Sequence, residues 1–360
     1  MPLRILFIIS KNDRYGAQRV FLDQVASLNR LGHKVIIAVR GFDGYVTDSA
    51  RALGITCYGF QMNGVADILR LRQLVRHHNI DIIHTSLDRA DYFGVILSKV
   101  VRRPVVSTMH VRRYHPGFKC ANAVIVSSRQ QAKTLQDKGI KPDKIHLVRP
   151  GIDTGRFISI DSVKRDAWQR ALGTAQHTMA LCHISSLHAA KAHAVSIEIT
   201  AACKGLGENP LLLIVGDLPH GPYYDSLVAI ITEHDLKNNV RFIPWTSEIP
   251  ELLSLCQITL LPSMNEALGM VLIEGMAAGT PIVARTGEGG AELVEEYGTG
   301  FLYNPALGVQ PLAEELISLC RDAARYKTLA DRCRTIAVDE FSLANYGKRL
   351  MKVNESVLSH

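Results

Sequence analysis

The chain has 360 residues, long for one hydrophobic core and suited to two domains. Its composition, 47% apolar and 21% charged, is ordinary for a globular protein. It has no run of 18 apolar residues, and its seven cysteines include no C-x-x-C pair. These features argue against a membrane span, a zinc site and a disulfide framework, and they suit a reducing cytoplasm. Charge is split: residues 1–150 carry +14 with no glutamate, and residues 151–360 carry −7. A basic first half points to an anionic partner such as a membrane surface or a lipid-diphosphate acceptor. Aromatic content of 6% and the lack of any RNA- or DNA-binding motif set nucleic acid aside.

Residues 4–9 (RILFII) read as a buried strand that also competes with a signal peptide, but no small-residue cleavage site follows. A loop runs to Gly16, and residues 17–31 place apolar side chains at helical spacing before Gly32 and a strand over 35–39. Strand and helix candidates then alternate through 55–60, 68–77, 81–84, 91–100, 105–109, 123–126 and 145–148. Such alternation predicts a parallel, doubly wound sheet. His84 and His110 each end a predicted strand, a position more often structural than functional. The helix over 68–77 carries Arg70, Arg72 and Arg76 and leads to His77-His78, a candidate strip for electrostatic contact with a membrane. From 153 to 175 the composition turns polar, as in a hinge. Strands are predicted again at 178–183, at 211–215 before Gly216-Asp217, and at 240–243 before Pro244-Trp245-Thr246. Residues 310–358 read as helices.

The most informative stretch is 257–292. An apolar run (257–261) is followed by a polar turn (262–265), a helical segment (268–278), the stop Gly279-Thr280-Pro281 and a second apolar run (282–284). This is a βαβ unit with Glu266 and Glu274, eight residues apart, around its loop-to-helix junction. Glu266 is predicted in the loop off a strand's carboxyl end, where open α/β sheets place ligands. The backbone of Leu268, Gly269, Met270 and Val271 at the helix start suits an anion, phosphate above all. Glu274, about two turns into the predicted helix, suits ribose hydroxyls. Either glutamate alone is ordinarily a capping or solvated group.

The ordered set is more specific. The E-x7-E pair, the G-x-P-I-V-A of residues 279–284, Gly289-Gly290 with Glu292, and Gly300-Phe301-Leu302 before Pro305 resemble the donor-sugar half of retaining GT-B glycosyltransferases of the family 4 type. The resemblance implies an α/β fold of two Rossmann-like, doubly wound parallel-sheet domains facing across a cleft. Residues 1–155 would be the acceptor-side domain and 176–338 the nucleotide-sugar domain, with 339–360 a helix crossing back to the first. It implies a retaining hexosyl-type transferase that moves sugar from a nucleotide-diphosphate donor to a glycan or lipid-linked acceptor in surface polysaccharide or lipopolysaccharide synthesis. By the same resemblance Glu266 holds the donor sugar and stabilises an oxocarbenium-like ring, and His110 reaches the sugar beside the reacting carbon. Glu274 fixes the ribose, Trp245 and Thr246 lie near the base, and Lys191 pairs with the diphosphate. Gly216 ends the strand that resembles the family's I-V-G-D-G. Gly16 is the second of two glycines usual at the donor phosphates.

The chain also departs from the pattern. Tyr15 replaces the first of those glycines, and Ser186 stands where an arginine normally joins Lys191, with His183, His188, His193 or Arg149 as substitutes. The chain contains no D-x-D, so metal independence is expected, and no cofactor is implied. A cytoplasmic enzyme touching an anionic membrane is the leading expectation. A weakened or non-catalytic nucleotide-sugar-binding protein is the alternative, and a nucleotide-sugar epimerase on the same fold is another.

Overall fold

The computed structural model describes residues 2–216 and 221–359. Asp217, expected to order a loop, lies outside the described residues. The chain divides into two units, Met1–Ile152 with Glu340–His360, and Asp153–Asp339.

The first unit alternates strand and helix in chain order: β1 (Arg4–Ile9), α1 (Gly16–Arg30), β2 (Lys34–Arg40), α2 (Tyr45–Ala52), β3 (Thr56–Phe60), α3 (Val65–His77), β4 (Ile82–Ser86), α4 (Asp88–Val101), β5 (Val105–Thr108), α5 (Gly117–Cys120), β6 (Ala123–Val126), α6 (Arg129–Asp137) and β7 (Ile145–Leu147). Its sheet runs β3-β2-β1-β4-β5-β6-β7, with every pairing parallel. The two-residue period of β1 explains why its apolar run is unbroken: Ile5, Phe7 and Ile9 face one core, Leu6 and Ile8 the other. The first core includes Phe21, Val25 and Leu28 of α1 together with Tyr346, Leu350 and Val353 from the chain's last helix.

The second unit holds α7 (Gly155–Ile158), α8 (Ser162–Leu172), β8 (Met179–Ile184), α9 (His193–Gly205), β9 (Pro210–Gly216), α10 (Pro222–Glu233), β10 (Val240–Pro244), α11 (Ile249–Leu253), β11 (Ile258–Leu261), α12 (Met270–Ala278), β12 (Ile282–Arg285), α13 (Ala291–Tyr297), β13 (Gly300–Tyr303) and α14 (Gln310–Arg321). α15 (Ala323–Phe341) leads out of it, and α16 (Leu343–Leu358) packs on α1. The parallel sheet runs β10-β9-β8-β11-β12-β13.

Two expectations change. Residues 153–175, read as a hinge from their polarity, are largely helical. Asp161 caps α8 by accepting hydrogen bonds from the N–H groups of Val163 and Lys164, and Gly173 (φ +63°) closes it. The polar composition is that of an exposed helix. The second change is the start of α12 at Met270, two residues later than predicted, because Gly269 takes a left-handed backbone (φ +89°). Glu274 is therefore the fifth residue of α12, in its second turn.

Candidate active site

Each sheet has a point where neighbouring strands send the chain in opposite directions. In the second unit it lies between β8, which leads to β9, and β11, which leads to β12. The connections part there and leave a crevice at the strand ends. Two loops border it, residues 185–192 and 262–269. They are joined by the Met264 N–H donating to the Ala190 carbonyl at 2.8 Å and by Lys191 Nζ meeting Glu266 Oε2 at 2.6 Å. The two side chains are 31% and 16% exposed, so their attraction is less screened than that of a surface pair.

A third loop, after β12, fixes Glu266 from behind. The Glu266 N–H donates to Glu288 Oε2 at 3.1 Å, and the Gly289 N–H donates to the Glu266 carbonyl at 3.2 Å. Gly289 is required by this approach, since a Cβ there would lie 1.8 Å from the Ala267 carbonyl oxygen. Gly269 is required twice, by its left-handed φ and by Leu261 Cδ2, 2.6 Å from where a Cβ would be. No side chain caps α12 and no acid occupies its first turn, so its positive end is uncompensated from within. Leu268 and Val271 have buried side chains, and only their backbone could meet a ligand. Glu274 is half-buried.

Gly216 ends β9 against the Ser185 carbonyl, which leaves no room for a Cβ. Trp245, which could equally have been a core residue, is 41% exposed just past the end of β10. Thr246 Oγ1 accepts the Glu248 N–H at 3.1 Å, which shapes that turn.

Behind Lys191 lies a buried polar chain. His183 Nδ1 meets Ser196 Oγ at 2.8 Å, His183 Nε2 meets Ser185 Oγ at 3.0 Å, and Ser185 Oγ meets His193 Nε2 at 3.0 Å. His193 Nδ1 reaches the Tyr223 hydroxyl at 3.3 Å. The imidazoles stack at 4.2 Å and 14°. Burial, then Lys191, lowers the His193 pKa to about 4; burial, then His193 and Lys191, holds His183 well below its usual range. His188, by contrast, is exposed and accepts the Ala190 N–H at 3.2 Å.

In the first unit the corresponding point lies between β1 and β4. Gly16 is the exposed first residue of α1, not a loop residue as predicted, and a Cβ there would meet nothing within 4 Å. His84 belongs to the core: it is 1% exposed, stacks on Phe7 at 4.7 Å and pairs through Nε2 with Asn354 Oδ1 at 2.7 Å. His110 follows β5, and its Nε2 is buried without a hydrogen-bond partner. Burial lowers its pKa to about 4, so its imidazole is neutral at pH 7. Its loop is anchored by His115 Nε2 on the buried Asp91 carboxylate at 3.0 Å. Arg149 is buried in the first unit, with its carbonyl accepting from Arg349 at 3.2 Å.

Sequence reasoning did not find Glu288, Ser185 or Tyr223. Glu288 had a signal, an acid directly before Gly289-Gly290 at the end of a strand. Tyr223 had none, because its contact spans 30 residues.

Two parallel-sheet units with such crevices define the GT-B architecture, and known proteins narrow the class. The Anabaena protein Alr3699/HepE in complex with UDP superposes with a TM-score of 0.86 at 23% identity, covering 98% of this chain and 100% of that one. The same protein with UDP-glucose gives 0.84, with the same coverage and identity. The profile of the glycosyl transferases group 1 matches residues 164–336, and that of glycosyltransferase family 4 matches residues 15–156. The chain belongs to the group 1 glycosyltransferases of the family 4 type. Among curated relatives, the N-acetyl-alpha-D-glucosaminyl L-malate synthase of Bacillus anthracis is 25% identical over 76% of this chain and 74% of its own length. The UDP-Gal:alpha-D-GlcNAc-diphosphoundecaprenol alpha-1,3-galactosyltransferase of Escherichia coli is 23% identical over 94% and 92%.

Proposed function

We propose that this glycosyltransferase moves a hexosyl group, with retention and without a metal, from a nucleoside-diphosphate donor to a glycan or lipid-linked acceptor in surface polysaccharide or lipopolysaccharide synthesis. The observation that carries the reading is the Lys191–Glu266 pair, set at the strand-order reversal beside the uncapped start of α12. A cation and a helix amino end suit the diphosphate, and the Glu266 carboxylate, on a backbone held by Gly289 and Glu288, suits sugar hydroxyls. On this reading Lys191 and the backbone of residues 268–271 neutralise the leaving diphosphate, which takes the acceptor proton. Glu266 stabilises positive charge on the sugar ring, and Glu274 holds the ribose. Gly216, Trp245 and Thr246 border the nucleotide. The E. coli relative's lipid-linked acceptor supports the acceptor class, and the sequence's lack of D-x-D supports metal independence.

The test is nucleotide release from UDP-, GDP- and ADP-sugars. Glu266→Ala is expected to lower kcat about 100-fold, the scale of losing one transition-state electrostatic group, with little change in nucleotide affinity. Glu274→Ala is expected to weaken nucleotide binding instead. Equal behaviour of both variants and the parent would remove these assignments.

Membrane contact is part of the same proposal. α3 and α4 pack together and expose Val65, Leu69, Ile96 and Val100 beside Arg70, Arg76 and Lys99. Exposed apolar side chains on helices that also expose cations suit an anionic interface. Among the described residues no helix is long and apolar enough to cross a membrane. Co-sedimentation with phosphatidylglycerol vesicles but not with phosphatidylcholine vesicles is expected; equal recovery with both counts against it.

A further inference from the structure

A nucleotide sugar brings two negative charges to its diphosphate, while the loops after β8 and β11 hold one lysine, Lys191, and no arginine. That lysine is already paired with Glu266. Directly behind it the chain Ser196–His183–Ser185–His193–Tyr223 joins two stacked imidazoles through one hydroxyl. Both rings are fully buried, whereas Ser185 and Tyr223 are half-exposed.

We infer that this chain is a proton-accepting part of the donor site, taking up one proton from solvent when a nucleoside diphosphate settles at Lys191. The inference rests on the diphosphate reading of that lysine.

The hydrogen bonding allows it. The Tyr223 oxygen also accepts the His193 backbone N–H at 3.2 Å, so it is placed to accept from Nδ1 as well. With one added proton, His193 donates from Nδ1 to Tyr223 and from Nε2 to Ser185. Ser185 then donates to His183 Nε2, and His183 Nδ1–H donates to Ser196. All four contacts stay satisfied, so the cost of an unpaired buried group is avoided.

The electrostatics give the direction. Among the described residues, the titratable groups facing His193 are Lys191 in the preceding turn, His183 on β8 and Tyr223 on α10. β9 and α14 present Leu212, Ile214, Leu312 and Leu316 to the same core. In the empty site Lys191 and the amino end of α9 both oppose a second positive charge. A bound diphosphate cancels that opposition and raises the imidazole's pKa. Affinity then grows as pH falls from the raised value toward about 4, where His193 of the empty site itself titrates.

The test is calorimetry with UDP-glucose, whose diphosphate has no ionisation near neutrality, in buffers of different ionisation enthalpy from pH 5.5 to 8 (about the range where imidazoles act). Uptake of a substantial fraction of a proton and roughly tenfold tighter binding per pH unit at most are expected. His193→Gln is expected to abolish both. Tyr223→Phe, altered at the half-exposed end, guards against a folding failure in the first variant and is expected to shift uptake to lower pH. Binding with no proton uptake, or with the same uptake in both variants, overturns the inference alone. If UDP-, GDP- and ADP-glucose all fail to bind at every pH, the diphosphate reading falls and this inference with it.

Discussion

At the ends of β8 and β11 the polar side chains are tied to one another: Lys191 to Glu266, the Glu266 backbone to Glu288, and two histidines through Ser185. At the ends of β1 and β4 the ties run elsewhere: Asn12 accepts the Val46 and Thr47 N–H groups, and Thr85 donates to Asp91, which His115 also holds. His84 is drawn into the core by Asn354, and Gly16 begins a helix with open space around it. The two sheets share a winding plan, yet the second unit's ties join the two loops at its strand-order reversal, while those of the first unit run from the loop after β1 to α2 and from β4 to Asp91 and the loop after β5. An edge whose groups already satisfy each other keeps its geometry without a ligand, at the cost of requiring the ligand to displace a partner.

Glycine substitution should break this contrast most clearly. Gly289→Ala puts a methyl group against the Ala267 carbonyl and is expected to cost about 3 kcal/mol or more, read as a lower midpoint in thermal unfolding. Gly16→Ala meets nothing within 4 Å and should change stability by no more than about 0.5 kcal/mol. Should the two variants unfold alike, the contrast is wrong. A smaller effect sharpens it through ion pairs of equal length. Lys191–Glu266 and Arg113–Asp88 are both 2.6 Å, but the second is 74% and 42% exposed. Lys191→Ala is expected to weaken nucleotide binding by about 1–3 kcal/mol. Arg113→Ala should alter stability by about 1 kcal/mol or less, because exposed pairs contribute little. Titration calorimetry and denaturant unfolding check the two. The smallest effect concerns Ala192, held at φ +56° between Lys191 and α9. The left-handed region is unfavourable for alanine, and glycine loses more entropy on folding. Ala192→Gly should therefore stabilise by about 0.5 kcal/mol net; a destabilised variant would show that the strain is absent.

Much of the fold was legible because both sheets are buried on two faces, so strands such as RILFII and LLLIV read as unbroken apolar runs between amphipathic helices. Boundaries failed where backbone conformation decided them, as at Gly269, since a glycine in a helical pattern does not announce its φ. The stretch read as a hinge hid two helices, because polarity marks an exposed helix as readily as a linker. In the candidate site, Lys191, Glu266 and Gly289 were visible through motif spacing, and the structure brings them together. The histidine chain was invisible as a chain, although His183 and His193 had been singled out as possible substitutes for a missing cation. Its connectors Ser185 and Tyr223 are common residue types whose meaning comes only from long-range contact.

The first unit is completed by the last helix, with Tyr346, Leu350 and Val353 in its core and Asn354 on His84. During synthesis the second unit therefore emerges whole while the earlier one still waits for its final piece. Until α16 leaves the ribosome, the nascent first unit exposes the apolar side of α1 and lacks the Asn354 amide on His84, the kind of surface that favours association before folding is complete.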